Sequence, residues 1–203
     1  MENIAIKAVK GRPREFCVEQ ALAAALGVFW TKGYEGSSLS DLTQAMGITR
    51  PSLYAAFGNK EELFRKALDL YEREKLAYVS EALAAPTSRE VVERLLKGAL
   101  ETLAGECAPR GCLRVIGSMT CGSEAGSVRD DLHARRASSH AAILARMMLA
   151  KSEGDLPAHI DAEGITDYLL AIFQGMSVQA NNGASMEQLQ EVVRTTLTIW
   201  PGR

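Results

Sequence analysis

Cysteines, aromatic residues and long apolar runs are all scarce in this chain of 203 residues. The few cysteines are unevenly spaced and do not form a disulfide framework, so free thiols in a reducing compartment are expected. No apolar run approaches the roughly 18 residues that a membrane helix needs, and charges interrupt the start of the chain where a signal peptide carries its apolar stretch. The sequence therefore predicts a cytoplasmic protein with no membrane partner.

The chain also lacks a large excess of one charge sign, because its 23 Lys and Arg residues and 25 Asp and Glu residues give a formal net charge of -2. A protein-wide basic field of the kind that coats nucleic acid is thereby excluded. Residues 1–66 nevertheless carry 9 basic and 7 acidic side chains, whereas the remainder carries 14 and 18. Any affinity for nucleic acid must therefore be local and lie near the amino end.

The patterns typical of enzymes and metal sites are absent from the sequence as well. No strand pattern precedes a glycine-rich segment, so a phosphate-binding loop is not expected, and no nucleophile pairs with a base. Cys107 and Cys112, and the single His133, His140 and His159, lack the paired spacing of metal ligands. His133 and His140 fit a solvated helix surface, and we expect neither an enzyme nor a cofactor or metal.

Helical periodicity dominates what is present. In the first helix, apolar residues recur every four positions until Gly33 ends it; these residues are Val18, Leu22, Leu26 and Trp30. Two short helices follow, one from the capping residue Ser38 to Gly47 and one from Thr49 to about Phe57. Their small core is predicted to contain Leu39, Leu42, Ala45, Ile48, Leu53 and Phe57.

The rest of the chain predicts longer helices. Asn59 caps a fourth helix whose apolar series runs through Val79 to Leu83, so that it bridges two parts of the molecule. Further helices follow over Thr87 to Leu103, residues 111–121, Val128 to about Gly154, Ile165 to Met176, and Ser185 to Trp200. The fold class is therefore all-α with about nine helices.

Two short helices joined by a glycine-centred turn and packed on a preceding helix indicate a helix-turn-helix. The chain resembles the TetR family of bacterial transcriptional regulators in the run Gly47-Ile48-Thr49-Arg50-Pro51-Ser52-Leu53-Tyr54, in Phe57, and in Asn59-Lys60-Glu61-Glu62-Leu63. Gly33-Tyr34, Ser38-Leu39 and the arm Gly11-Arg12-Pro13-Arg14 add to it. The resemblance covers about the first 65 residues, and the remainder matches only in helical layout and length.

The resemblance implies a homodimer that binds a palindromic DNA operator, usually as a repressor, and releases it when a small molecule occupies the larger domain. Residues 1–62 are then a three-helix DNA-binding domain with a basic arm. Residues 63–203 form a larger helical bundle for effector binding and dimerisation. Because the fourth helix joins both parts, a change in its tilt on ligand binding would alter the spacing of the paired recognition helices.

Eight residues are candidates for contact with DNA. Arg50 and Ser52 are the expected readers of base edges, since an arginine fork pairs with guanine. Expected contacts to the phosphate backbone are Ser38, Thr49, Tyr54 and Lys60, and Arg12 and Arg14 enter a minor groove or follow the backbone. The alternatives are a core role for Tyr54, a solvated charge for Lys60, and a disordered arm.

The larger domain is expected to leave a cavity for an apolar or amphipathic effector. Candidate lining residues are Leu96, Leu100, Leu103, Met119, Met147, Phe173 and Met176, although apolar residues at helical spacing are more often core. The last two helices carry the expected dimer surface, formed by Ile165, Leu169, Ile172, Leu189, Val193, Thr196 and Leu197.

Two other modes of control remain open. Arg110 and Arg114 flank Cys112 in sequence and would favour its thiolate, so that an oxidant or electrophile would be the signal. Against this, cysteine usually behaves as a small buried hydrophobe. The other alternative is a DNA-binding protein controlled by a protein partner.

Overall fold

A computed structural model describes residues 16–103, 109–120 and 125–202, without the side chains of residues 118–120. These residues form ten α-helices and no strand: α1 (Val18–Gly36), α2 (Leu39–Met46), α3 (Arg50–Phe57), α4 (Lys60–Lys75), α5 (Tyr78–Leu83), α6 (Ser88–Leu103), α7 (Leu113–Thr120), α8 (Gly126–Ser152), α9 (Ala162–Asn181) and α10 (Met186–Ile199). The all-α class is confirmed. Among the helices of these ranges, none has both the length and the apolar content to cross a bilayer.

The fourth helix is shorter than predicted. It stops at Lys75, where Leu76 leaves helical geometry with φ -113° and ψ 9°, and α5 begins at Tyr78. The continuous helix to Leu83 is therefore wrong. The break allows the apolar stripe to change direction, because α4 buries its residues in one core and α5 buries Ala82 in another.

The first helix does not end at Gly33, as the sequence predicted, but breaks there and continues to Gly36. Gly33 has φ +71°, a backbone conformation that residues with a Cβ rarely adopt. One further turn then extends to Gly36. The Ser37 hydroxyl donates to the Gly33 carbonyl at 2.6 Å. This arrangement places Tyr34 beside Phe64, with ring centroids 5.2 Å apart.

Two apolar cores divide the chain. The head core comprises the buried side chains of α1 to α4 together with Leu113, Ala125, Val128 and Leu132 from α7 and the beginning of α8. The bundle core comprises those of α5, α6, α9, α10 and the second half of α8. Ala45 was predicted to face inward but is exposed, and Met46 is buried instead. Met46 follows Leu42 by one helical turn and fills the space with a larger side chain.

Ion pairs attach the second half of α4 to the neighbouring helices. Arg135 of α8 contacts Asp69 at 2.6 Å, Glu72 at 2.8 Å and Asp131 at 3.2 Å. Arg114 of α7 lies 3.4 Å from the other oxygen of Glu72. Because the side chains of Arg135, Arg114 and Glu72 are largely buried, their contacts are less screened than surface pairs, whereas Asp69 is exposed. They hold α4 at one position against α7 and α8.

Close packing of α6 on α5 generates a first prediction. A Cβ at Gly98 would lie 2.2 Å from the ring of Tyr78, so Gly98→Ala forces a shift of the ring or of a helix. We expect this change to lower the free energy of unfolding by about 1–3 kcal/mol, as overpacking does. Urea denaturation measures the effect.

The matched control is Gly27→Ala in α1, where a Cβ meets no atom within 4 Å. Here alanine gains helix propensity without a clash, and the free energy of unfolding should rise by up to about 1 kcal/mol. Equal effects of the two substitutions would contradict the close approach of Tyr78 to α6.

Candidate functional site

Helices α2 and α3 are set by the local sequence at their ends. Ser38 and Asp41 form a capping box, in which the Asp41 amide donates to Ser38 Oγ at 3.0 Å and the Ser38 amide donates to Asp41 Oδ2 at 2.9 Å. Gly47 closes α2 in the left-handed conformation at φ +64°. Thr49 caps α3 by accepting from the Ser52 amide at 3.3 Å. The two short helices are thus joined by a three-residue turn, as in a helix-turn-helix.

Helix α3 has one buried and one exposed face. Leu53 and Phe57 are fully buried in the head core, whereas Arg50 is exposed and Tyr54 is 50% exposed. The guanidinium of Arg50 donates to Ser40 Oγ of α2 at 2.9 Å, which orients it along the surface of the motif. The exposed face of α3 therefore presents hydrogen-bonding groups to the exterior.

The hydroxyls of the two capping residues are partly engaged within the protein. Ser38 Oγ donates to Asp41 Oδ2 at 2.7 Å, and Thr49 Oγ1 lies 3.0 Å from the hydroxyl of the half-buried Ser52. Both capping residues are nevertheless exposed at helix N-termini, where backbone N–H groups favour anions. Arg12 and Arg14 lie outside the described residues.

Lys60 occupies the first turn of α4 and stacks on an aromatic ring. Its ammonium lies 4.5 Å from the centroid of Tyr34, and partial burial lowers the pKa of Lys60, an effect that nearby Glu35 opposes. The ring of Tyr34 therefore restricts the ammonium of this first residue of α4. Tyr34 is a residue whose role the sequence analysis missed, although its position directly after the break at Gly33 was a usable signal.

Asp41 connects α2 to α1 as well as capping α2. Lys32 of α1 donates to Asp41 Oδ1 at 2.7 Å. The hydrogen bond from Lys32, followed by those from Ser38, holds the pKa of Asp41 well below its ordinary range. The carboxylate therefore fixes the start of α2 against α1.

A cavity of about 650 Å³ lies between α4, α5, α6, α7, α8 and α9. Of the predicted lining residues, Leu103 and Phe173 are in its wall. Leu96, Met147 and Met176 are buried in the bundle core away from that wall. Leu100 instead borders a shallow groove between α6 and α10, shared with Val193 and Leu197. The side chain of Met119 lies outside the described residues.

Several polar side chains in the cavity wall were not predicted. They include Tyr71 of α4, Tyr78 of α5, Arg114 of α7, and the exposed His133 and Arg136 of α8. Burial raises the pKa of Tyr71 and of Tyr78, so both phenols remain neutral hydrogen-bond donors. The available signal was an aromatic residue with a polar tip within the apolar stripe of α4.

Cys112 lies in the wall of the same cavity, close to Tyr71. Its backbone amide donates to Ser177 Oγ at 2.7 Å. The guanidinium of Arg110 donates to the Ala184 carbonyl at 3.4 Å, and that of Arg114 donates to Ser139 Oγ at 2.9 Å. These bonds direct both flanking arginines to groups other than the thiol. Cys107 and Cys121 lie outside the described residues.

The predicted dimer residues fall into two groups. Leu169, Leu189, Val193 and Thr196 are buried within the protomer. Ile165 and Ile172 of α9 and Leu197 of α10 are half-buried and retain open apolar surface. Of the seven predicted residues, these three leave apolar surface open to a second chain.

The histidines are dispersed. His140 Nε2 lies 3.1 Å from Asp167 Oδ1, joining α8 to α9, and His133 borders the cavity. Within the ranges that the structure describes, no three His, Cys, Asp or Glu side chains gather as they would to hold a metal ion.

Comparison with known families identifies both parts of the chain. Residues 21–67 match the model described as bacterial regulatory proteins, tetR family, and residues 88–196 match that of the tetracyclin repressor-like C-terminal domain. The chain belongs to the TetR family. It is accordingly a transcriptional regulator with a helix-turn-helix DNA-binding domain, a class of proteins that is not enzymatic.

Similar proteins include the HTH-type transcriptional repressor ComR of Escherichia coli K12, which is 34% identical over 97% of this chain and 94% of ComR. The repressor BdcR of the same organism is 31% identical over 89% of this chain and 87% of BdcR. A cysteine mutant of the TetR regulator CifR, complexed with 26-bp double-strand operator DNA, is 42% identical with a TM-score of 0.88. That structural match covers 94% of this chain and all of the CifR chain.

The carboxylate of Asp41 generates a prediction about pH. Its pKa in the folded protein lies below the ordinary value of about 4, so the carboxylate stabilises the fold above that value. The stabilisation decreases as the pH falls towards the folded-state pKa. Asp41→Asn is expected to lower the melting temperature at pH 7, by an amount that shrinks below about pH 4.

Thermal unfolding followed by circular dichroism at pH 7, 5 and 3.5 measures this difference. The control is Asp130→Asn at an exposed position of α8, which should change the melting temperature little at any of these pH values. A deficit for Asp41→Asn that grows with acidity would contradict the assigned ion pair and cap.

Proposed function

We propose that this TetR-family regulator is a ligand-responsive repressor. It binds a palindromic operator as a homodimer in the cytoplasm and dissociates when a small apolar or amphipathic effector occupies the cavity. The observation that carries the proposal is that α4 belongs both to the head core and to the cavity wall. The names of ComR and BdcR as repressors and the operator complex of CifR support it.

In this proposal the exposed face of α3 enters the major groove. Arg50 and Ser52 read base edges, with the bond to Ser40 restricting the guanidinium before DNA arrives. Backbone phosphates are contacted by Ser38, Thr49, Tyr54 and Lys60, and Arg12 and Arg14 of the arm add further contacts. Because Ser38 and Thr49 also cap helices, their substitution would affect stability as well as DNA affinity.

The coupling between effector and operator passes through α4. Tyr71 borders the cavity, and its ring packs edge-on against Trp30 of α1 with centroids 4.9 Å apart. A ligand that prefers one placement of α4 shifts the equilibrium towards it, and only such differential affinity can release DNA. Residues 1–62 are proposed to bind DNA and residues 63–203 to bind the effector and dimerise.

The homodimer is proposed to form through α9 and α10. Ile165, Ile172 and Leu197 retain open apolar surface on these helices. A two-fold arrangement is required mechanically, because paired recognition helices must lie about 34–36 Å apart, one turn of DNA. The four buried residues of the predicted surface would then support the interface from within each protomer.

Base reading by Arg50 is tested by selecting duplexes from a random DNA pool with the wild-type protein and with Arg50→Ala. We expect the wild type to enrich a palindrome. The variant should lose preference at one symmetric base position, with about 1–3 kcal/mol less discrimination there. Sequencing of bound duplexes and titration at fixed salt measure both quantities.

The matched control is Arg94→Ala on α6, an exposed arginine paired with Glu90 at 3.1 Å and remote from α3. It removes the same charge and should leave both affinity and preference unchanged. If Arg50→Ala weakened binding equally to all sequences, Arg50 would be a phosphate contact instead.

The dimer surface is tested by Ile172→Asp, which places a charge on the half-buried face of α9. We expect the variant to sediment as a monomer and to bind the selected palindrome at least tenfold more weakly, because a monomer contacts only one of the two half-sites. Ala171→Asp, on an exposed position of the same helix, is the control. Retention of the dimer by Ile172→Asp would move the interface elsewhere.

A further inference from the structure

The charge of the cavity wall is one-sided. Among the described residues that line it, Arg114, His133 and Arg136 are basic and none is acidic. Glu72 reaches Arg114 at 3.4 Å, but the same carboxylate also serves Arg135 at 2.8 Å. Arg136 and His133 are exposed, and Arg136 forms no ion pair with any residue that the structure describes. The lining therefore carries positive charge that no acidic residue of the same lining balances.

The basic groups lie together on one side. The guanidinium of Arg114 donates to the carbonyl of Arg135 and to Ser139 Oγ, both at 2.9 Å. It thus lies against the turn of α8 that carries Arg136, and His133 stands one turn earlier on the same face. Of the other acidic groups nearby, Asp69 and Asp131 pair with Arg135, whereas Glu101 is exposed on α6 and close enough to Tyr78 to help raise the pKa of its phenol.

The remaining wall combines apolar and neutral polar side chains. Leu95 and Leu103 of α6 and Leu170 and Phe173 of α9 supply apolar surface, and the neutral polar residues include Thr102, Ser139, Gln174, Ser177 and Gln179. Tyr71 also lines the cavity, but its hydroxyl is buried close to Cys112 and Leu113.

We infer that the effector is a small organic acid whose apolar body packs against α6 and α9. Its anionic head is bound by Arg136 and Arg114. This assignment rests on the proposed ligand response and specifies its chemistry. A cation would meet like charge, and a hydrocarbon would gain nothing from either guanidinium. An anion leaving water requires such charge-assisted bonds.

Two dyes with one aromatic skeleton provide the probe. 8-Anilinonaphthalene-1-sulfonate carries an acid group, whereas N-phenyl-1-naphthylamine lacks it, and the fluorescence of both rises in an apolar site. We expect the full-length protein to bind the sulfonate at least tenfold more tightly than the neutral dye. Equal affinities, or binding of neither dye, would overturn the inference.

Variants then locate the acid group. Arg136→Gln should weaken binding of the sulfonate about tenfold and leave the neutral dye unchanged, because only the anion uses the guanidinium. Arg129→Gln removes the same charge from exposed α8 outside the cavity wall and should change neither. A uniform loss of affinity for both dyes in Arg136→Gln would indicate a packing effect and contradict the assignment.

The operator duplex obtained by selection separates this inference from the proposed function. Release of DNA by the sulfonate at lower concentration than by the neutral dye, with Arg136→Gln requiring about tenfold more, supports both. Equal release by both dyes overturns the organic acid and retains ligand response. Selective binding of the sulfonate without release supports the acid site and contradicts the proposed response. Cys112→Ser should respond as the wild type does, and loss of its response would assign sensing to the thiol.

Discussion

The edge-on packing of Trp30 against Tyr71 is the contact on which the arrangement of the two halves depends. The indole N–H donates to the Gly111 carbonyl at 2.7 Å, so a residue of α1 is tied directly to the start of α7. Tyr71 belongs to the head core and also lines the cavity. The same side chain is therefore part of the DNA-binding head and of the cavity wall. A displacement of the cavity wall at Tyr71 also displaces the head.

The ion pairs of Glu72 connect α4 to α7 and α8 through electrostatic attraction instead of aromatic packing. One carboxylate oxygen bonds Arg135, while the other is buried 3.4 Å from Arg114 without a hydrogen bond. The second oxygen of Glu72 is thus held by charge more than by directed hydrogen bonds. A competing anion at Arg114 would therefore weaken the attraction between Arg114 and α4. The aromatic contact keeps α4 packed on the head, whereas the ion pairs set its position against α7 and α8.

Local signals predicted the head well because its structure is set by short-range chemistry. Ser38, Thr49 and Gly47 act at helix ends within a few residues of each other, and their roles are readable without tertiary information. The cavity wall was harder, since Arg136 and Tyr71 are 65 positions apart and meet only through packing. The break at Leu76 was also missed, because both cores require apolar residues and the periodicity continues across it.

That break has a consequence for the effector site. An unbroken α4 would carry Tyr78 and Val79 onward in the direction of α4, but the turn at Leu76 brings both into the cavity wall. Tyr78 in turn occupies the space that Gly98 leaves open on α6. The cavity thus exists because the chain changes cores at that point, and residues on both sides of the change line it. An effector that contacts Tyr71 and Tyr78 together would bear on the angle between α4 and α5, which is the geometry that positions the DNA-binding head.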